Sequence, residues 1–385
     1  MKLLRLPRFK VHVGKPLPWN VRDEQSNLLL LRGHVIDSEH QLELLLLRGA
    51  FVDAQEARAV ELHEAPLPER SIPRVLNLFG LWDRSGDEMR KLMLKVPHTP
   101  GLVERVEVFA ADLIARVDQD VDIALYHAIR QESEDPFLYG YNHAVHTAIL
   151  CLLMARRLQW PEARAASLVK AAITMNMAVL DLQGQLSNQD VAPWESQKAL
   201  LRRHPQEAAD WLVQAGVDDG DWLRAVAQHH ERPDGTGYPQ GLSDVSEVAL
   251  ALRTADVFMA RITVRKLRSA MTLQDAAKQM FREDQGGALS SAVIKELGIF
   301  PPGDVVRLVS GEIGVVMRRT DKVKCPIVAA ITDVAGRPTV HTEHRDTALP
   351  AFAIVEAVAD RTLVARLPPE RVYGFASAAP YAAPS

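Results

Sequence analysis

Cysteine is nearly absent from this chain: only two occur, Cys151 and Cys325, far apart and without the spacing of a metal-binding motif. That excludes a disulfide scaffold or a zinc ribbon and fits a reducing compartment, with both thiols packed as small hydrophobes. No run approaches the roughly 18 uninterrupted apolar residues of a membrane helix. The start is basic, but Pro7, Arg8 and Lys10 interrupt any apolar core, which argues against a signal peptide. Charge of one sign is also missing. A formal net charge of −4 over 385 residues gives no basic footprint for nucleic acid. There are no solenoid-type repeats and no nucleotide-cyclising, kinase or DNA-binding motif. These absences predict a cytoplasmic protein with neither membrane nor nucleic acid as its partner.

What is present is an ordinary globular composition, 47% apolar and 24% charged, long enough for two or three folded units. Short apolar runs at Val11 to Val13, Leu28 to Leu31 and Val35-Ile36 alternate with turn formers, which predicts a small β-rich module over 1–62. Within it a helix starts at Ser38, where Ser38 and Gln41 have capping-box spacing, and stops at Gly49. Pro66, Pro68 and Pro73 mark a linker, so 63–104 is read as linker and helix. From 105 to 300 the periodicity is helical, and His143, His146, Leu150 and Leu153 share one stripe. Glu162 to Leu180 is predicted as one helix, buried on all sides from Ala171 onward, and Pro205 marks a helix start. Strands with tight turns at Ser310-Gly311 and Ala335-Gly336 predict a β-hairpin extension over 301–372, followed by a disordered tail at 373–385.

The strongest local signal is the string from His229 to Pro239, HHERPDGTGYP. Two adjacent histidines at a helix end can both reach one ion, because the backbone beyond them is free to turn, and neutral imidazoles suit a first-row transition metal. An isolated pair of this kind is more often a solvated one; the whole string is far more specific. It resembles the signature of the HD-GYP family, bacterial phosphodiesterases that open cyclic-di-GMP at a metal site inside a helical bundle. The resemblance spans roughly 105 to 335 and includes the stretch Leu297 to Gly303. It implies a mainly α fold: an HD-type helical bundle with a small β-rich N-terminal module and a short C-terminal β-hairpin region.

Carried over residue by residue, the resemblance puts His143, His204, His229, His230 and Asp256 at metal-ligand positions. It puts Arg265 and Arg268 on the ligand's phosphates, and Asp234, Gly235, Gly237, Tyr238 and Pro239 in the signature loop. On a continuing helix, residues three apart emerge on one face, which predicts that Arg265 and Arg268 act together. Taken alone, His146 reads as a core histidine, His204 before Pro205 as a cap, and Arg265, Lys266 and Arg268 as a solvated face. Asp256 amid apolar residues calls for a metal or a basic partner.

The departures from the family pattern are as informative. Where the family reads Ala-Ala-Leu-Leu-His-Asp-Ile-Gly-Lys, this chain reads Ala171 to Val179, AAITMNMAV. The His-Asp pair has become Met175-Asn176 and the helper lysine Val179; Tyr139 stands where trinuclear members carry a glutamate. The lost aspartate bridges two cations, and without it two dications about 4 Å apart are poorly compensated. Met175 offers only a soft thioether, a poor match for iron or manganese. The expectation is a degenerate HD-GYP protein, with no assigned catalytic residue, that binds cyclic-di-GMP or a protein partner with little or no hydrolysis. It holds at most one divalent transition metal, iron or manganese, or none. Alternatives are an active phosphodiesterase with a mononuclear site and an interaction domain without ligand. A diguanylate cyclase or another signalling protein could read the loop, and a homodimer is compatible.

Overall fold

The computed structural model describes residues 3–6, 11, 13–38, 41–42, 45–46, 50–54, 56, 78–130, 135–358, 367 and 369–373. The proline-rich segment at 63–75 and the tail beyond 373 lie outside the described residues. The chain divides into two compact units, Met1–Val75 and Leu76–Ser385.

The first unit holds four short strands, β1 (Leu3–Arg5), β2 (Val21–Arg22), β3 (Leu28–Leu30) and β4 (Phe51–Asp53), in the antiparallel order β1-β4-β2-β3. Of the expected strands, Leu28 to Leu30 forms one, whereas Val11 is buried without joining the sheet. The β2–β3 turn is closed by Asp23, whose carboxylate accepts from the Asn27 backbone N–H at 2.8 Å. The capping pattern at Ser38 is realised: its hydroxyl accepts from Gln41 N at 3.1 Å, and the Gln41 side chain accepts in turn from Asp37 N. Gly49 lies outside the described residues. Trp19, Val21, Ile36, Leu42 and Val52 make a small separate core.

The second unit is a helical bundle followed by a sheet. In chain order its helices are α1 (Leu78–Asp83), α2 (Ser85–Met93), α3 (Leu102–Gln119), α4 (Val121–Arg130), α5 (Tyr139–Arg157), α6 (Glu162–Thr174) and α7 (Leu180–Asn188). Then come α8 (Glu195–Gln214), α9 (Gly220–Gln228), α10 (Glu247–Ile262), α11 (Leu273–Glu283), α12 (Ala288–Leu297) and the short α13 (Pro369–Tyr373). α1 and α2, which the sequence placed in a connecting segment, send Trp82 and Met89 into the bundle core. The helix buried nearly all round is α5, with α2, α4, α6, α10 and α12 packed against it. No helix among the described residues is long and apolar enough to cross a membrane.

Two expectations about helices are corrected. The helix from Glu162 stops at Thr174 rather than Leu180, and Met175 to Val179 form turns. The Thr174 hydroxyl donates to Lys170 O and accepts from the Trp222 indole at 2.8 Å, while Met177 N reaches back to Thr174 O. Side-chain bonding to the last turn competes with continuation of the ladder. Pro205 does not begin a helix either; it sits inside α8. α8 begins instead at Glu195, where the Gln197 side chain accepts from Trp194 N at 3.0 Å.

The C-terminal region is larger than a hairpin. β5 (Val305–Leu308), β6 (Ile313–Arg318), β7 (Ile327–Thr332), β8 (Pro338–Asp346) and β9 (Ile354–Ala357) form one antiparallel sheet in the order β8-β7-β6-β5-β9. Adjacent arginines at the end of β6 tie it to the bundle. Arg318 pairs with Asp120 at 2.6 Å, and Arg319 with Asp122 at 2.6 Å and Glu296 at 3.0 Å.

Between α4 and α5 two further histidines meet, His127 half-buried and His146 buried. His127 stacks on Trp82, and His146 meets His127 edge-on with centroids 4.9 Å apart. Burial, aided by the Arg130 and Arg116 charges, lowers the His127 pKa to about 4, and burial lowers that of His146 well below its usual value. Because the folded value lies below the unfolded one, this stability is complete above about pH 6.5 and is lost as pH falls toward 4. Urea unfolding at pH 7 and pH 4.5 should show a loss that His127→Phe reduces. An unchanged pH dependence in that variant would contradict the assignment.

Candidate metal centre

The candidate centre is built where α8 meets the end of α9. Pro205 explains the first ligand. Lacking an N–H, it leaves the Leu201 carbonyl without its helical donor, and His204 Nδ1 fills that place at 2.7 Å. An unpaired buried carbonyl would cost about 1–3 kcal/mol, so the imidazole is held firmly. His229, the residue that ends α9, repeats the device, with Nδ1 donating to Val226 O at 2.7 Å. A carbonyl can only accept, so each Nδ1 carries the hydrogen and each Nε2 of the neutral ring is a bare lone pair. Burial lowers the His204 pKa to about 3 and lowers those of His229 and His230.

Two bare nitrogens therefore face each other, His204 Nε2 to His229 Nε2, at 3.2 Å. This contact is repulsive unless a cation lies between or beside them. Ligand nitrogens on one tetrahedral ion at ~2.1 Å stand about 3.4 Å apart, close to this spacing. His230 completes the set: ligand atoms of His204, His229 and His230 all lie within 4.8 Å of one another. The donor set fits a single borderline transition metal.

The two other predicted ligands are paired elsewhere. His143 Nε2 bonds to Asp256 Oδ1 at 2.7 Å, both side chains being buried. Burial alone would raise the Asp256 pKa; the hydrogen bond from His143 overcomes it and holds the carboxyl well below the usual range. Among the described residues, neither His143 nor Asp256 joins the cluster of three. Met175 is fully buried in the apolar core and Asn176 nearly so, just past the end of α6.

The signature loop acts as a brace. Tyr238 stacks on His230, with centroids 4.6 Å apart and 28° between planes. Gly237 allows this approach, since a Cβ there would stand 2.4 Å from the Glu231 Cα. Asp234 is exposed and shapes the tip, its carboxylate accepting from Thr236 N and Oγ1. Gly235 takes φ +72°, and the Tyr238-Pro239 peptide is cis.

Glu231 lies inside the HHERPDGTGYP string, and nothing in the sequence assigns it a role. It is fully buried, and its two oxygens accept from Gln240 N at 2.7 Å and Leu242 N at 3.0 Å, closing the loop onto the histidine pair. Arg253, one turn before Asp256 on α10, was also missed. It is partly buried, and burial together with the Arg232 charge lowers its pKa. Its (i, i+3) spacing to Asp256 was the available signal.

Arg265 and Arg268 do not continue a helix. α10 ends at Ile262, Thr263 Oγ1 bonds Met259 O, and Arg265 N and Arg268 N close a tight turn on each other's carbonyls. The two side chains diverge: Arg268 donates to Ala260 O, and Arg265 to the Tyr139 hydroxyl. Arg265 lines a cavity of about 280 Å³ with Tyr139, Asn142, His143, His146 and Lys266. His146, expected in the core, is buried and also lines this cavity.

Residues 129–287 match the HD domain family. A cyclic di-GMP phosphodiesterase of Pseudomonas aeruginosa is 28% identical over 217 residues, 54% of this chain and 52% of that protein. Two 3′3′-cGAMP-specific phosphodiesterases of Vibrio cholerae, numbers 3 and 1, are 28% and 25% identical over 183 and 181 residues. The alignments take in 37% and 41% of their lengths, so the chain spans about half or less of these curated relatives. A solved HDG"Y"P protein from Bdellovibrio bacteriovorus aligns with TM-score 0.48 and 17% identity, over 76% of this chain and 99% of that one.

Glu231→Ala, which orphans two backbone N–H groups, should cost roughly 2–4 kcal/mol. Chemical denaturation should report it, with Gly237→Ala comparably destabilised. Native stability in both variants would contradict the bracing role.

Proposed function

We propose that this chain, whose residues 129–287 match the HD domain family, is an HD-GYP-type protein that binds a cyclic dinucleotide in signalling with little or no hydrolytic activity. The observation that carries this reading is the make-up of the histidine cluster: three neutral imidazoles and, among the described residues, no carboxylate within the group. Two adjacent dications need negative charge between them, and the position that supplies it in the family is Asn176 here, beside the core residue Met175. His143 and Asp256 satisfy each other instead.

The residues retained suit one iron or manganese ion on His204, His229 and His230. Such an ion would polarise a phosphate oxygen but lacks the second clamp that stabilises attacking and leaving oxygens together. Cyclic-di-GMP is the favoured ligand, because a curated relative matched over 217 residues is named for it. Of the two arginines expected on the phosphates, Arg265 is the better candidate, since Arg268 is turned to a backbone carbonyl. A mononuclear phosphodiesterase is the second reading, favoured by the paired bare nitrogens of His204 and His229. The exposed loop tip at Asp234 to Thr236 offers a surface for a diguanylate cyclase or another signalling protein. A cytoplasmic setting goes with this reading, where both free cysteines are at home.

Incubated with cyclic-di-GMP and iron or manganese, the protein should release no linear product above background while binding the dinucleotide in calorimetry. Met175→His with Asn176→Asp should raise turnover. Metal-dependent cleavage by the unaltered protein, abolished by His230→Ala, would establish the second reading instead.

A further inference from the structure

Arg265 is an unusual cation. Its Nε is buried without a hydrogen-bond partner. Among the described residues its side chain makes one hydrogen bond, to the neutral Tyr139 hydroxyl. A buried guanidinium N–H facing a cavity is costly unless an anion or water meets it. The cavity is polar where Arg265 enters: Lys266, Asn142 and Ser187 share the wall, and His146 Nε2 is likewise buried and unpartnered. Asp135 also lines it, and Lys266 stands 4.0 Å from Asp190. None of His204, His229 and His230 is among the lining residues.

Tyr139 fixes where the guanidinium sits. Its ring lies parallel to that of His143, with 9° between planes and centroids 5.7 Å apart, and His143 is itself anchored to Asp256. The guanidinium carbon of Arg265 lies 4.8 Å from the Tyr139 ring centroid while the hydroxyl accepts from Nη2. This chain, Asp256 to His143 to Tyr139 to Arg265, runs from a buried anion to an otherwise unpaired cation. Burial raises the Tyr139 pKa, so the phenol stays protonated. Accepting from Arg265, it still has its own hydrogen to donate into the cavity.

We propose that Tyr139 is the positioning residue for Arg265, holding its guanidinium toward this cavity so that a phosphate can be met there without the metal. The inference rests on the cyclic-dinucleotide reading for its ligand. Its chemistry is that of any phosphate group, whether part of a cyclic dinucleotide, a mononucleotide or the free ion. Fixed guanidinium donors suit such oxygens.

The test uses the full chain stripped with EDTA. Cyclic-di-GMP, 5′-GMP, guanosine and inorganic phosphate are titrated into the unaltered protein, Tyr139→Phe, Arg265→Ala and the double variant, with thermal unfolding as a folding check. The expected result is metal-independent binding of phosphate-bearing ligands but not guanosine. It should weaken about tenfold in Tyr139→Phe and at least as much in Arg265→Ala, and the double variant should be no weaker than Arg265→Ala alone. Multiplying losses would overturn the positioning role; binding lost with the metal would overturn the site. If cyclic-di-GMP fails to bind with or without metal, the functional reading falls. The inference is then decided by the Arg265 Nε–H resonance: a shift on adding phosphate that Tyr139→Phe abolishes supports it, and no shift refutes it.

Discussion

The centre depends on a locked tautomer. His204 and His229 each give their Nδ1 hydrogen to a backbone carbonyl three residues earlier, which leaves two bare Nε2 atoms 3.2 Å apart. The lock on His204 comes from a defect in its own helix, the missing N–H of Pro205. Around it the loop is folded to keep His230 in place, with Gly237 permitting the approach, Tyr238 stacking on the ring and Glu231 closing the turn. A pair of lone pairs forced together in a buried site is preorganised for a cation, because binding relieves a repulsion already built into the fold.

The same architecture would limit what a cation held there could do. Asp256 is the buried anion of the site and is engaged with His143, whose other face supports Tyr139. Freeing Asp256 for a second ion would leave His143 to find another partner, and breaking such a buried pair typically costs roughly 3–5 kcal/mol. Meanwhile Met175 has joined the apolar core. Positive charge on the His143 side is carried instead by Arg265, a group that needs no loading and cannot activate water.

Much of this was legible in the sequence because it depends on residue types with few alternatives. The helix-end histidine pair, the glycines of the loop and the substitutions at Met175 and Asn176 could be read directly. What escaped depends on tertiary partners. The end of α6 at Thr174 carries no glycine or proline; it is set by a hydroxyl bonded to Trp222, a residue distant in sequence. Local propensity favours Pro205 at a helix start, whereas in the fold a histidine side chain compensates its missing donor mid-helix. The spacing of Arg265 and Arg268 suggested one helical face, but Thr263 bonds back to the last turn and the chain bends away. Glu231 was unremarkable in sequence because its partners are backbone groups nine and eleven residues further on.

The claim that this centre supports one ion and not a catalytic pair is tested most directly by electron paramagnetic resonance of protein reconstituted with excess manganese(II). The account predicts an isolated, uncoupled manganese signal that His230→Ala removes. An exchange-coupled signal from two neighbouring ions would contradict it, and would mean that Asn176, Asp256 or another group compensates a second dication after all.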